Sequence, residues 1–166
     1  MPNDVFRAID AVLVFGVDDP SSAEGTVANT IVSQYDLSNV VGRLSNVTVS
    51  VSSDVKPFYE IGRRYPTHLR PGVVRVWGTA ERAHVNGALL RLLLGDGGVS
   101  PPSAANFAQP AFNIVATLKD PAHPDNDTRV TVFGTRFDSW TYTIPTEDFV
   151  MESVSFQALR LAFEEK

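Results

Sequence analysis

Leu44-Ser45-Asn46-Val47-Thr48-Val49-Ser50-Val51-Ser52-Ser53 alternates apolar and polar residues along nearly its whole length. Val47, Val49 and Val51 fall on one side, and Asn46, Thr48, Ser50 and Ser52 on the other. Successive side chains of an extended chain point to opposite faces, so this period of two predicts a half-buried β-strand. Its polar side carries small neutral groups and no long charged side chain.

Working outward, Val73 to Thr79 repeats the pattern, with Val74 and Val76 opposing Val73, Arg75 and Trp77. Between these strands, Asp54 to Gly72 is of another kind. Pro57, Pro66 and Pro71 argue against one continuous strand. Phe58, Tyr59 and Tyr65 argue against disorder. An ordered protrusion that docks on something fits best, because connections this long inside a compact domain are usually functional. Upstream, Ile9 to Val14 predicts a short strand, Gly16 to Ser22 a turn, and Thr26 to Tyr35 a weak strand.

Thr79 is placed to cap a helix, with Glu81 in its first turn. Val85, Leu89, Leu92 and Leu93 then form an apolar stripe widened by Leu90 and Leu94, and Gly95 fits the stop. After a Gly/Ala/Pro-rich loop to Pro110, Ala111–Lys119, Arg129–Thr135 and Phe137–Ile144 read as strands, with a bend near Gly134. In Val150–Phe163 the apolar parity switches near Gln157–Ala158, which predicts a bulge or a sheet corner. The expected fold is mainly β: an antiparallel β-sandwich or small barrel of about seven strands with one flanking α-helix, a single domain over 1–166.

Composition narrows the function. The chain has 166 residues and no cysteine, which excludes a disulfide scaffold, a thiolate metal site and a Cys nucleophile. Charged residues are only 20% while hydrophobic ones are 43%, so part of the surface is expected to be covered. A net charge of -5 argues against broad affinity for nucleic acid or anionic lipid. The N-terminal apolar run is a poor signal peptide and too short to span a membrane, which leaves the Asn46 and Asn126 sequons as chance matches.

No motif carries catalysis or a cofactor. His68, His84 and His123 are isolated and lack metal-ligand spacing. Gly95-Asp96-Gly97-Gly98 follows a helix instead of preceding one, so it reads as a cap and turn, not a phosphate loop. Asp125, Asn126 and Asp127 lack the glycine and terminal glutamate of a calcium loop and read as a solvated turn. Glu147 and Asp148 follow Pro145-Thr146, where acids suit the first turn of a short helix. From Asp54 to Gly72 the charge balance is +2, and from Pro145 to Lys166 it is -3. A basic loop and an acidic C-terminal region on one chain suit head-to-tail self-assembly; a solvated loop and tail without mutual contact is the plain alternative.

With these elements in order, the chain resembles phage tail tube proteins, whose relatives include the Hcp-like tube proteins of type VI secretion. The resemblance rests on Pro145-Thr146-Glu147-Asp148-Phe149-Val150-Met151-Glu152-Ser153-Val154-Ser155-Phe156, on Phe58-Tyr59-Glu60-Ile61-Gly62-Arg63-Arg64, and on Gly72 followed by Val73 to Arg82. It implies a structural virion protein and not an enzyme, with no cofactor. Six copies would form a ring, and rings would stack into a tube that conducts the genome during ejection. Phe58, Tyr59, Glu60, Arg63, Arg64, Tyr65 and Arg70 would reach the adjacent ring. Asn46, Thr48, Ser50 and Ser52 would face the lumen, and Glu147, Asp148 and Glu152 would form an acidic contact region.

The implied partners are further copies of the chain, with sheath, baseplate and tail-terminator proteins; DNA would pass without specific binding, and no membrane is involved. Assembly in the host cytoplasm and residence in the virion tail follow from the same resemblance. A compact subunit without an added immunoglobulin-like domain fits a contractile tail somewhat better. Gly16 to Val40 exceeds what a minimal tube subunit needs and would decorate the exterior or contact a sheath. The alternatives are a terminator or baseplate ring that does not polymerise, and a soluble β-barrel enzyme or ligand-binding module using Asp18, Asp19 or His84.

Overall fold

A computed structural model describes residues 5–95 and 108–165. The strands are β1 (Ala11–Gly16), β2 (Leu44–Ser53), β3 (Lys56–Phe58), β4 (His68–Arg70), β5 (Val74–Ala83), β6 (Phe112–Leu118), β7 (Thr128–Thr143), β8 (Met151–Ala158) and β9 (Arg160–Glu165). The helices are α1 (Ala23–Gln34) and α2 (Ala88–Leu94). The main sheet runs β1-β6-β7-β8-β5-β2, all antiparallel, with β9 paired to β7. It curls into a half-barrel, the mainly β architecture expected from the sequence. The 96–98 part of the glycine-rich stretch, and most of the loop that holds it, lie outside the described residues.

β7 makes the half-barrel possible. Residues 128–135 pair with β6, residues 128–133 also pair with β9, and residues 136–143 pair with β8. One long strand thus belongs to two layers. The corner is built at Gly134, whose φ of +62° favours glycine. Its amide donates to Asn113 Oδ1 at 3.2 Å, and an added Cβ would lie 2.6 Å from Leu159 Cδ1. Leu159 is where β8 gives way to β9, one residue beyond the parity switch read in the sequence. Between the layers Phe15, Phe112 and Phe137 pack with centroids 4.9–6.3 Å apart.

Two expectations fail. Thr26–Tyr35 is not a strand but most of α1. Its β-branched residues suggested extension, yet Gly25, Ala28, Ile31 and Val32 are buried at helical spacing. Ser22 Oγ accepts from the Gly25 amide at 3.0 Å and caps the helix. Just before it the Asp19 carboxyl is held below its usual range, chiefly by the Ser21 hydroxyl and then the Ser21 amide. The helix expected from Thr79 to Gly95 is also shorter. The chain stays extended to Ala83, because Gly78, Ala80 and Arg82 alternate inward as strand residues do. Only Ala88–Leu94 is helical, with Asn86 Oδ1 accepting from the Ala88 amide at 3.1 Å and Gly95 closing it at φ +58°. There are therefore two α-helices among the described residues, not one, and neither is long and apolar enough to cross a membrane.

Candidate functional site

The four consecutive strands β7, β8, β5 and β2 share one solvent face; the other face of β7, β8 and β5 meets the core, while on the edge strand β2 Val49 and Val51 stay exposed. Strand registers give the solvent face directly. One level across it reads Thr48, Thr79, Ser155, Ser139; the next reads Asn46, Glu81, Ser153, Thr141; the level on the other side reads Ser50, Trp77, Gln157, Arg136. The structure therefore brings Asn46, Thr48, Ser50 and Ser52 onto one face, as the period of two required, and extends them into a hydroxyl belt across four strands. Ser139 Oγ and Ser155 Oγ are 2.5 Å apart, and Asp138 accepts hydrogen bonds from Ser155 and from Gln157 Nε2. The charged side chains here are Arg75 and Arg136 with Glu81 and Asp138, and Arg136 also approaches Glu24 of α1 at 3.8 Å. Arg75 lies over the Trp77 ring, 5.6 Å from its centroid.

Sequence reasoning missed Thr79, Ser139, Thr141, Ser153 and Ser155. Each sits on a strand with the right parity, but only the pairing registers align them with β2. Thr79 was hidden further by its expected role as a helix cap.

The Asp54–Gly72 protrusion is a two-stranded hairpin, with Lys56↔Arg70, Pro57↔Leu69 and Phe58↔His68 in register. It springs from the β2–β5 end, where an added Cβ on Gly72 would strike the Asp54 carbonyl oxygen at 2.2 Å. The expected contact residues Phe58, Tyr59, Glu60, Arg63, Arg64, Tyr65 and Arg70 are all exposed. Arg63 and Glu60 approach only to 3.9 Å. Ile61 is fully exposed and Tyr65 is 81% exposed, so a run of large apolar groups meets water here.

Glu147 and Asp148 lie at the opposite end of the same sheet, on the exposed turn between Thr143 and Met151, about 25 Å away along the strands. No helical turn forms there; Asp148 Oδ1 instead accepts from the Phe149 amide at 2.7 Å. Glu152 departs from the acidic contact region altogether. It points into the core at 1% exposure, opposite Arg82 at 2%. Arg82 Nε donates to Glu152 Oε1 at 2.6 Å, and Trp140 Nε1 donates to Oε2 at 3.0 Å. Arg82 Nη2 donates to Asn86 Oδ1 at 3.1 Å, and His84 Nδ1 lies 3.4 Å from Glu152 Oε2. Burial and full pairing make Glu152 an internal strut between β5 and β8, not a surface charge.

Among the described residues no three His, Cys, Asp or Glu side chains come together to hold a metal. A cleft of about 600 Å³ opens where the core-facing sides of the two layers diverge. Its wall is mainly apolar: Leu13, Val47, Val49, Ala116, Leu118 and Val130, with Arg43 at the rim. No converging polar groups mark it as a catalytic pocket.

No sequence model of a known family matches the chain, and no curated protein does. Solved structures do. A chain of the sheath/tube terminator of an extracellular contractile injection system (PVC) has a TM-score of 0.66 at 11% identity, over 98% of this chain and 98% of that one. A chain of the sheath-tube complex of that system gives 0.64 at 10% identity, over 99% and 94%. The SPP1 tail tube gives 0.57 at 12% identity, over 98% and 80%. At these identities the likeness is one of fold, and across almost its whole length this chain has the fold seen in tail tube and tube-terminator structures.

Proposed function

We propose that this chain is a structural subunit of a tail tube, in which six copies form a ring and rings stack head to tail around a channel that conducts the genome. One observation carries the reading: the β2-β5-β8-β7 sheet has a hydroxyl face without net charge and, among the described residues, two edges with no partner strand. Among the described residues β2 pairs only with β5, and residues 136–143 of β7 pair only with β8. Bare edges invite pairing with another chain. Joining β2 of one copy to β7 of the next is antiparallel, removes both edges and closes a ring. The hydroxyl face then lines the channel. It offers water-like groups and no net charge, so polyphosphate finds little to grip.

The hairpin and the Glu147–Asp148 turn support stacking, because they sit at opposite ends of the sheet with opposite charge. The sheath, baseplate and terminator are the other partners this reading assigns, with a contractile tail the better fit. A terminator ring is the second reading, since a chain of a sheath/tube terminator structure shares this fold over 98% of both chains. Negative-stain microscopy of concentrated purified protein separates them. Stacked tubes support the tube subunit, single rings support the terminator, and monomers overturn both.

A further inference from the structure

α2 has the sequence Ala88-Leu89-Leu90-Arg91-Leu92-Leu93-Leu94 and is apolar nearly all round. A helix of that kind is normally covered on every side. Ala88, Leu89 and Leu92 are buried beneath it, but Leu90 and Leu93 are half-buried and Leu94 is 36% exposed. The helix lies along β7, at the sheet margin opposite β2. The apolar cleft lies at the β2 margin, on the same core-facing side of the sheet.

Heights along the strands agree as well. The start of α2 is tied through Asn86 to Arg82, which is level with Leu44 and with Glu152 and Tyr142. Its end meets Ala108 and Pro110 at Gly95, and Gln109 Nε2 donates to the Phe137 carbonyl at 2.6 Å. Phe137 is level, through Phe156 and Gly78, with Val49. The helix therefore spans the levels from Leu44 to Val49, which are those of the cleft.

We propose that Leu94 of α2 in one copy, with the half-buried Leu90 beside it, fills the apolar cleft of the neighbouring copy in the ring. The occupant is a second copy of this chain. Continuing the sheet from one copy's β7 to the next copy's β2 places a leucine-rich helix over an open apolar mouth, and both surfaces leave water together. This inference rests on the ring reading and adds a second lateral contact on the core side of the edge pairing. It also says why the described residues of one chain leave both surfaces partly open.

The absence of cysteine makes a direct test clean. Two double variants, Leu94→Cys with Val49→Cys and Leu90→Cys with Val47→Cys, are oxidised after assembly and run on denaturing gels. A ladder of covalent multimers from at least one pair is expected, with each single variant giving none. Rings seen by microscopy without a ladder from either pair overturn the plug and leave the ring intact. Absence of rings at any concentration overturns both. Leu94→Ser guards against misfolding, since this side chain is already exposed. It is expected to raise the concentration needed for assembly by roughly tenfold or more while leaving the monomer's circular dichroism unchanged. An unchanged assembly threshold counts against the plug.

Discussion

Glu152 shows how a charge in the sequence changes meaning once its neighbours are known. At the end of an acidic stretch it looked like a surface contact, but it stands at an inward position of β8 facing Arg82. Removing one partner of such a pair leaves the other charge buried and unpaired. Glu152→Gln should therefore lower stability by about 3 kcal/mol, whereas Glu147→Gln on the exposed turn should change it by less than about 0.5 kcal/mol. Urea denaturation of the two variants checks this; equal effects would return Glu152 to the surface. Gly134 is the second decisive residue. Its positive φ and the contact with Leu159 leave no room for a side chain. Gly134→Ala should cost about 2 kcal/mol or more, read from the same denaturation midpoint.

At the scale of elements, the period of two made β2, β5 and β6 legible, and the parity switch placed the β8–β9 junction within about two residues. The failures have physical causes. α1 is rich in Thr, Val and Ile, so local propensity pointed to a strand, and only burial of one stripe against β1 and β6 makes it a helix. The apolar stripe of α2 was read backwards into β5 because Glu81 and Arg82 look like helix residues until pairing with β8 sets their faces. Half of the candidate site was visible as four residues of β2; the rest depended on long-range register, which no local pattern records. The hairpin is an element with its own prediction. Deleting Tyr59 to Arg70 leaves the sheet margins untouched, so rings should still form while stacking is lost. Tubes of undiminished yield would show that the hairpin does not join rings.

For the whole molecule, the shortage of charge acquires locations: a hydroxyl face, an uncharged β2 edge, a leucine-rich helix and an apolar cleft. In a ring these are the channel wall and the lateral contacts, and the polar ends are left to stack. Replacing Asn46, Thr48 and Ser50 together by Lys should slow DNA passage through attraction to phosphate, seen as reduced infectivity of particles with normal tails. Normal infectivity of such particles would separate the face from the channel. The most direct measurement is the position of a heavy-atom thiol label on Thr48→Cys, in averaged end-on views of assembled rings. Label density is expected inside the central channel, repeated once per subunit. Density on the outer rim, with the channel empty, would contradict it.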